Sequence, residues 1–144
     1  MGDPYEILQV LDRHLRSIWA GDLETYAATT SADVTFFEWY ISTERIDGVD
    51  FHLRETASNF QAGDARRRRG EHYELEHEVL SPKVQFYGDV AIVTYRLLMR
   101  YVTDEGVSHA EHNETRVFHR GEYGWQLVHC HKSPAWPAPH APLR

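Results

Sequence analysis

Acidic and basic side chains that could bind an anion or move a proton stand at related positions in this sequence. Glu114 and Arg116 lie two residues apart in a strand-like stretch, so their side chains are expected on one face of a strand. Val128, Cys130 and Lys132 repeat this spacing on the next predicted strand, which would bring Lys132 beside Arg116. A buried Arg beside a Lys needs an anion, supplied either by a side chain or by a ligand.

Two interpretations of this anion are open. In the first, Glu38 or Glu114 neutralises Arg116 as an internal ion pair, and the protein itself fills the site. In the second, the site binds a small carboxylate or similar anion, because the guanidinium of Arg116 presents a fork that matches a carboxylate.

A third interpretation is proton-transfer catalysis without a cofactor. Glu38 or His52 would act as the general base. A developing oxyanion would be stabilised by one of three side chains: Arg116, Tyr95 or Tyr101. Such a site would belong to an isomerase, a dehydratase or a cyclase.

Other reactive residue types have less specific settings. His129 and His131 share one face of a strand, as a metal site would require, but the sequence offers no evident third ligand. Their parity is opposite to that of Lys132, so we expect both rings on the outer face, at an interface or in hydrogen bonds. Cys130 is expected to be a buried, inert thiol, and His77 a satisfied core histidine.

The charge balance argues against two classes of partner. Lys and Arg total 15 against 22 Asp and Glu, giving a formal net charge of −7, so the surface repels nucleic acid and anionic membranes. The run Arg66-Arg67-Arg68-Arg69 has no aromatic residues between its arginines, and we expect a solvated loop there. A single cysteine, no apolar run of bilayer length and no signal-peptide pattern at the first residues favour a cytoplasmic protein.

The first part of the chain predicts three helices. The first begins at the Asp3 cap and ends at Gly21, the second covers about 22–29, and the third covers about 49–60, where residues 62–64 break it. The first helix carries apolar residues at helical spacing: Leu8, Leu11, Leu15 and Ile18.

Alternating patterns then predict strands, with an interruption at Ser81-Pro82. The expected ranges are 34–40, 73–79, 84–87, 90–102, 109–119 and 125–132. The strand over 90–102 has an apolar face made by Ala91, Val93, Tyr95, Leu97, Met99 and Tyr101. Its other face is mixed and could meet another subunit, since it carries Ile92, Arg96, Leu98 and Arg100.

Helices followed by a meander of long strands indicate an α+β fold, with the helices on one face of a bent sheet. We expect one domain over residues 1–132. Residues 133–144 hold four of the six prolines and are expected to form an extended tail.

Several motifs follow one another along the chain: Phe37-Glu38, Gly48-Val49-Asp50-Phe51-His52, the stretch from Tyr95 to Tyr101, and the segments 114–120 and 124–131. Together they resemble the association domain of calcium/calmodulin-dependent protein kinase II. The resemblance runs from the first helix nearly to the end of the chain. It implies a nuclear transport factor 2-like cone, in which three N-terminal helices pack on a strongly curved, mainly antiparallel sheet.

The resemblance also implies a homo-oligomer, at least a dimer, and a form without a kinase domain. In the kinase family the pocket is lined by a histidine on the third helix and by arginines on the sheet, which suits small carboxylates. The matching positions here hold His52, Leu97, Arg116 and Lys132, so one arginine is replaced by leucine. Phe60 matches a tryptophan that borders the pocket, although it could equally be a core residue at the helix end.

Three functions follow as expectations: binding of a small anionic ligand, catalysis of the cofactor-free kind, or an oligomerisation scaffold alone. The predicted ligand-binding set is His52, Phe60, Tyr95, Tyr101, Arg116 and Lys132. Glu38 and His52 are the predicted catalytic pair. We expect no metal and no cofactor. The stretch around Arg66-Arg69 is longer than in the kinase family and could gate the pocket or adjust the interface.

Overall fold

Three helices cover one face of a single sheet. The structure is a computed structural model that describes residues 2–137. Within these residues the elements, in chain order, are α1 Pro4–Ala20, α2 Leu23–Ala28, β1 Thr30–Glu38, β2 Ile46–Asp47, α3 Asp50–Arg68, β3 Tyr73–Tyr87, β4 Val90–Thr103, β5 Gly106–Gly121 and β6 Gly124–Pro134. The predicted α+β class is confirmed.

The six described strands pair in the order β2-β1-β6-β5-β4-β3. β1 runs parallel to β6, and every other pairing is antiparallel. The chain therefore forms a meander from β3 to β6. The edge of β6 that does not pair with β5 pairs with β1, the first long strand. This parallel contact is what later brings residues of β1 beside those of β6.

The caps predicted for the first two helices are present. The Asp3 carboxylate accepts a hydrogen bond from the backbone N–H of Tyr5 at 3.0 Å, and Asp22 accepts from that of Thr25 at 3.1 Å. Gly21 ends α1 with a left-handed φ of 65°. A side chain could not fit there in any case, because a Cβ on Gly21 would lie 2.4 Å from the ring of Phe60.

The core lies between the helices and the inner face of the sheet. The residues of β4 that were predicted to form an apolar face are buried, except that Tyr101 is only half-buried. They pack in one cluster with buried residues of α1, β1 and β6: Ile7, Leu11, Leu15, Phe36 and Leu127. Burial of this apolar area is the main contribution to the stability of the fold.

The third helix is longer than predicted. It continues to Arg68, so the break at residues 62–64 and the solvated loop at Arg66–Arg69 were wrong. Gly63 is tolerated inside the helix because it lies against Tyr73, where a Cβ would be 2.6 Å from the ring. An ion pair of 2.8 Å between Arg68 and Asp64 supports the last turn.

Two irregularities shift the alternation of the strands. Ser81-Pro82 does not interrupt β3 but forms a bulge, at which Ser81 has a φ of 51°. In β6, Phe118 pairs with Leu127 and Val117 pairs with His129, so Val128 has no partner across the pair. The uniform alternation predicted for this strand, with Val128 on the face of Cys130, was therefore wrong.

Several ends of elements also differ from the predictions. β1 begins at Thr30 and ends at Glu38, so Trp39 and Tyr40 lie in the turn that follows. β6 extends to Pro134, two residues past the predicted domain boundary. The extended tail was predicted over 133–144, and residues 138–144 of it lie outside the described residues. None of the described helices is both long and apolar enough to cross a bilayer.

Candidate ligand-binding site

Four charged side chains meet on the inner face, in a row that crosses three strands. The strand registers pair Glu38 of β1 with Lys132 of β6, and Lys132 with Glu114 of β5. Arg116 follows Glu114 on the same face of β5, as the two-residue spacing predicted. We call Glu38, Lys132, Glu114 and Arg116 the charged row.

Charges alternate along this row, and each one has an opposite neighbour. The ammonium of Lys132 lies 2.7 Å from Oε2 of Glu38 and 3.8 Å from Oε2 of Glu114. Nε of Arg116 donates to Oε1 of Glu114 at 2.9 Å. The internal neutralisation that the sequence left open is therefore present, with Glu114 as the partner of Arg116.

The row is buried, and its pKa values follow from mutual pairing. Glu38, Glu114 and Arg116 are each 2% exposed. Burial alone would raise the pKa of Glu38, but the hydrogen bond with His52 and the charge of Lys132 outweigh it and lower that pKa to about 2. Burial likewise opposes ionisation of Glu114, and the charges of Arg116 and Lys132 hold its pKa well below the ordinary range. Both carboxylates are therefore ionised at neutral pH.

Neutral and titratable groups complete the hydrogen bonds of the row. Tyr95 donates its hydroxyl proton to Oε1 of Glu114 and accepts from Nε of Arg116 at 3.0 Å. His112 contacts the other oxygen of Glu114 at 2.5 Å. Lys132 donates to the hydroxyl of Tyr40 at 3.1 Å.

Two buried nitrogens at the row have no hydrogen-bond partner among the described residues. They are Nη1 of Arg116 and Nδ1 of His52. His52 is held by a hydrogen bond from Nε2 to Glu38 and by stacking on Phe36 at a ring distance of 3.6 Å. An unpartnered buried donor is costly, so Nη1 of Arg116 is a position where a ligand oxygen would be stabilised.

A cavity of about 710 Å³ opens in front of the row. Its polar end is formed by His112, Glu114, Arg116 and Lys132. Its walls are mainly apolar and include Leu15, Ile18, Trp19, Leu97, Met99 and Tyr101. Aromatic side chains of the turn after β1 and of the segment after β6 also line it: Trp39, Tyr40 and Trp136.

A second cavity of about 290 Å³ lies under the end of α3. Phe60, Gly63, Arg67, Tyr73 and Leu75 contribute to its lining. Four side chains line both cavities and thus separate them: Ile18, Trp19, Asn59 and Tyr101.

The predicted site residues fall into three groups. Arg116, Lys132 and Tyr101 line the first cavity, and Tyr101 and Phe60 line the second. Glu38, His52 and Tyr95 line neither cavity. Glu38 and Tyr95 contact row members that line the first cavity, and His52 contacts Glu38. Sequence reasoning missed His112 and Tyr40 as members of the site. Parity could have found His112, since it shares the face of Glu114 on β5.

The remaining candidate residues have structural settings. His129 and Thr35 are joined by a hydrogen bond of 2.8 Å, and the ring of Phe37 packs edge-on against His129 and at a tilt against His131. Burial raises the pKa of the Cys130 thiol to about 12, so the group stays protonated. His77 accepts from the indole of Trp19 at 2.9 Å. No group of three or more His, Cys, Asp or Glu residues within 2–137 is arranged to hold a metal ion.

Known structures share this architecture. A nuclear transport factor 2-like superfamily protein from Salmonella enterica superposes with a TM-score of 0.66 at 20% identity, covering 93% of this chain and 92% of that one. The helices and the sheet thus have the nuclear transport factor 2-like fold.

A more specific relationship is present in the sequence. The model of the calcium/calmodulin dependent protein kinase II association domain matches residues 3–136, and the chain belongs to that family. The hub of the S. rosetta kinase is 29% identical, with a TM-score of 0.76, covering 94% of this chain and 98% of the hub. The type II subunit delta of the kinase from Oryctolagus cuniculus is 30% identical over 139 residues, or 95% of this chain and 25% of that protein. The chain spans about a quarter of the length of the curated relatives it matches.

Proposed function

We propose that this chain forms a homo-oligomer in which each copy binds a small carboxylate at the polar end of the first cavity. The observation that carries the binding proposal is that Arg116 lines the first cavity and has a buried donor, Nη1, without a partner among residues 2–137. A carboxylate oxygen at this nitrogen would replace a missing hydrogen bond with a charge-assisted one.

The neutral charge of the row limits the affinity to be expected. Glu114 and Glu38 already balance Arg116 and Lys132, so a ligand gains hydrogen bonds rather than a large net attraction. Leu97 stands where the kinase family has an arginine, which removes a further cation from the wall. We therefore expect modest affinity and a substantial contribution from apolar contacts.

Thermal unfolding in the presence of candidate carboxylates tests the binding proposal. A ligand that binds only the folded state raises the midpoint. Ala110 is exposed and lines the first cavity, so Ala110→Trp should fill the cavity and abolish the shift while leaving the charged row intact.

Val107→Trp is the matched control for this variant. Val107 lies on the same strand, is 55% exposed and does not line the first cavity, so the shift should persist. If no carboxylate raises the midpoint of the wild type, the binding proposal is wrong and the scaffold function remains.

The outer face of the sheet is the proposed surface of association. Half-buried or exposed apolar side chains face outward on three strands, β1, β4 and β5: Phe37, Ile92, Leu98 and Val117. His129 and His131 lie on the same face. The relatives that are named association domain and hub also support self-association. The face itself supports it as well, because without a partner it would expose apolar surface.

Light scattering tests the association. We expect a wild-type mass of at least two chains, and a monomer from Val117→Glu, because a carboxylate would be buried unpaired at the contact. Tyr123→Glu, at a residue that is 78% exposed in a turn, should leave the mass unchanged. A monomeric wild type would contradict the association.

Cofactor-free catalysis is the second candidate, and the pairing of Glu38 with His52 favours it. A carboxylate on Nε2 would orient the ring and leave Nδ1 as the basic atom. It ranks second because neither residue lines a cavity. Turnover of an enolisable ketone that Glu38→Gln abolishes would favour it, and a screen without turnover would count against it.

We also infer a cytoplasmic setting. The support is compositional: one cysteine, buried and free, and a chain without disulfides among the described residues. Labelling of the chain in cells and fractionation would test this inference.

A further inference from the structure

We propose that the ligand is an elongated diacid, with one carboxylate at Arg116, the other at Arg67, and an apolar chain between them. The inference rests on the proposed carboxylate site and extends it into the second cavity.

The shape of the first cavity indicates a ligand with a long apolar body. Its volume of about 710 Å³ falls in the range that holds drug-sized molecules, well above the needs of a short-chain acid. The polar groups His112, Glu114, Arg116 and Lys132 adjoin one another on β5 and β6, and the apolar residues that line the same cavity include Leu15, Ile18, Trp19, Leu97, Met99 and Tyr101. An apolar chain would gain free energy along this wall in proportion to the area it covers.

The partition between the two cavities has one loosely held member. The indole of Trp19 is fixed by its 2.9 Å hydrogen bond to His77. Asn59, in contrast, is exposed and has a single contact of 3.5 Å with Glu55. A rotation of the Asn59 side chain would therefore join the cavities at little cost, and the apolar chain could pass beside Trp19.

The second cavity ends at an arginine. Phe60 and Tyr73 form its aromatic floor, and the guanidinium carbon of Arg67 lies 5.8 Å and 5.5 Å from the centres of these two rings. Nε of Arg67 donates to the backbone oxygen of Tyr73 at 2.9 Å, which fixes the direction of the side chain. Within residues 2–137, its two terminal nitrogens have no hydrogen-bond partner.

Arg67 differs from its neighbours in charge pairing. Arg66 and Arg69 pair with Glu71 at 3.8 Å and 2.7 Å, and Arg68 pairs with Asp64 at 2.8 Å. Within residues 2–137, no carboxylate lies at ion-pair distance from Arg67. A cation without an acid, in a cavity that shares its partition with the cavity of Arg116, matches a second carboxylate on the ligand.

Paired titrations test the inference. Dissociation constants would be measured by calorimetry for two series of equal chain length, the monoacids hexanoate to dodecanoate and the corresponding diacids hexanedioate to dodecanedioate. A second carboxylate weakens binding to an apolar pocket unless a cation receives it. We expect the opposite: at one intermediate length the diacid binds about two- to fivefold more tightly than the monoacid, the gain typical of one exposed ion pair.

Two adjacent arginines supply the variant and its control. Arg67→Gln should remove the advantage of the diacid and leave monoacid binding unchanged. Arg68→Gln removes the same charge from a side chain that is 81% exposed and lines neither cavity, so the advantage should persist. Asn59→Trp should weaken dodecanoate and dodecanedioate but not hexanoate, because the short acid does not reach the partition.

The outcomes separate the two proposals. If monoacids bind and no diacid binds more tightly at any length, or if Arg68→Gln acts as Arg67→Gln does, the diacid inference is overturned while the carboxylate site stands. If neither series binds, the carboxylate site itself is wrong and the inference falls with it.

Discussion

Each charge of the row is stable in the interior only because its neighbours are present. Lys132 bridges two carboxylates that would otherwise repel each other, and it is the only row member on β6. Removal of one partner from a buried pair leaves a charge without compensation, which costs more than the pair contributes. Substitution of a single member of the charged row should therefore destabilise the folded state.

Lys132→Met should lower the free energy of unfolding by about 3–5 kcal/mol, because Glu38 and Glu114 lose the cation between them. Denaturant titration would measure the loss. Arg120→Met, which breaks the exposed pair of Arg120 with Asp89, should change stability little. A small effect of Lys132→Met would show that the side chain of Lys132 is solvated rather than paired.

Acid should destabilise the protein through the same row. The pKa values of Glu38 and Glu114 are lower in the folded chain than in the unfolded chain, so both contribute stability above about pH 4.5 that is lost at lower pH. For Glu38, whose pKa in the folded chain is about 2, the free energy of unfolding should fall by roughly 1.4 kcal/mol per pH unit between these two values.

Urea titrations between pH 6 and pH 2 would measure this dependence, with Glu38→Gln as the comparison. The variant should lose the part of the slope that belongs to Glu38. An unchanged slope would mean that the pKa of Glu38 is the same in the folded and unfolded chains, which would contradict its pairing in the row.

At the scale of elements, the end of α3 depends on a close contact of Gly63 with Tyr73. Alanine is favoured over glycine inside a helix by about 1 kcal/mol, but a Cβ here would lie 2.6 Å from the tyrosine ring. The ring is flanked by Arg66 and Arg67, whose guanidinium groups stack on it. We expect the steric cost to exceed the gain in helix propensity.

Gly63→Ala should therefore lower the free energy of unfolding by about 1–3 kcal/mol, measured by denaturant titration. In a Tyr73→Leu background the same change should be neutral or stabilising, since the ring is gone. A loss of equal size in both backgrounds would assign the effect to the backbone instead of the ring.

Patterns of local origin could be read from the sequence, and long-range pairings could not. The caps at Asp3 and Asp22, the inner face of β4 and the shared face of Glu114 with Arg116 follow from spacing alone. The bulge at Val128 has no glycine to mark it, so alternation placed that residue wrongly.

The partners within the site needed the topology of the whole sheet. Glu38 meets Lys132 only because β1 lies parallel to β6, a pairing across most of the chain that no local pattern encodes. The length of α3 was missed for a similar reason, because the contact that accommodates Gly63 comes from β3. Local preferences were overridden wherever a distant element supplied the contact.

At the scale of the whole molecule, association must overcome repulsion between chains of net charge −7. The arginines of the outer face offer little compensation, because Arg100 and Arg96 pair within the chain with Glu76 and Glu111. Apolar contacts are thus expected to drive association.

The dissociation constant of the oligomer should consequently decrease as salt is added, because screening weakens the repulsion and leaves apolar contacts intact. Analytical ultracentrifugation at low and high sodium chloride would measure this. A dissociation constant that increases with salt would show instead that ion pairs between subunits hold the assembly.

The balanced charge of the row sets an electrostatic cost for the ligand. Two carboxylates and two cations already cancel, so an arriving carboxylate leaves one negative charge unmatched. That charge would lie in a buried site, where salt screens it only weakly. The affinity for a carboxylate should therefore depend little on ionic strength, in contrast to the association of the chains.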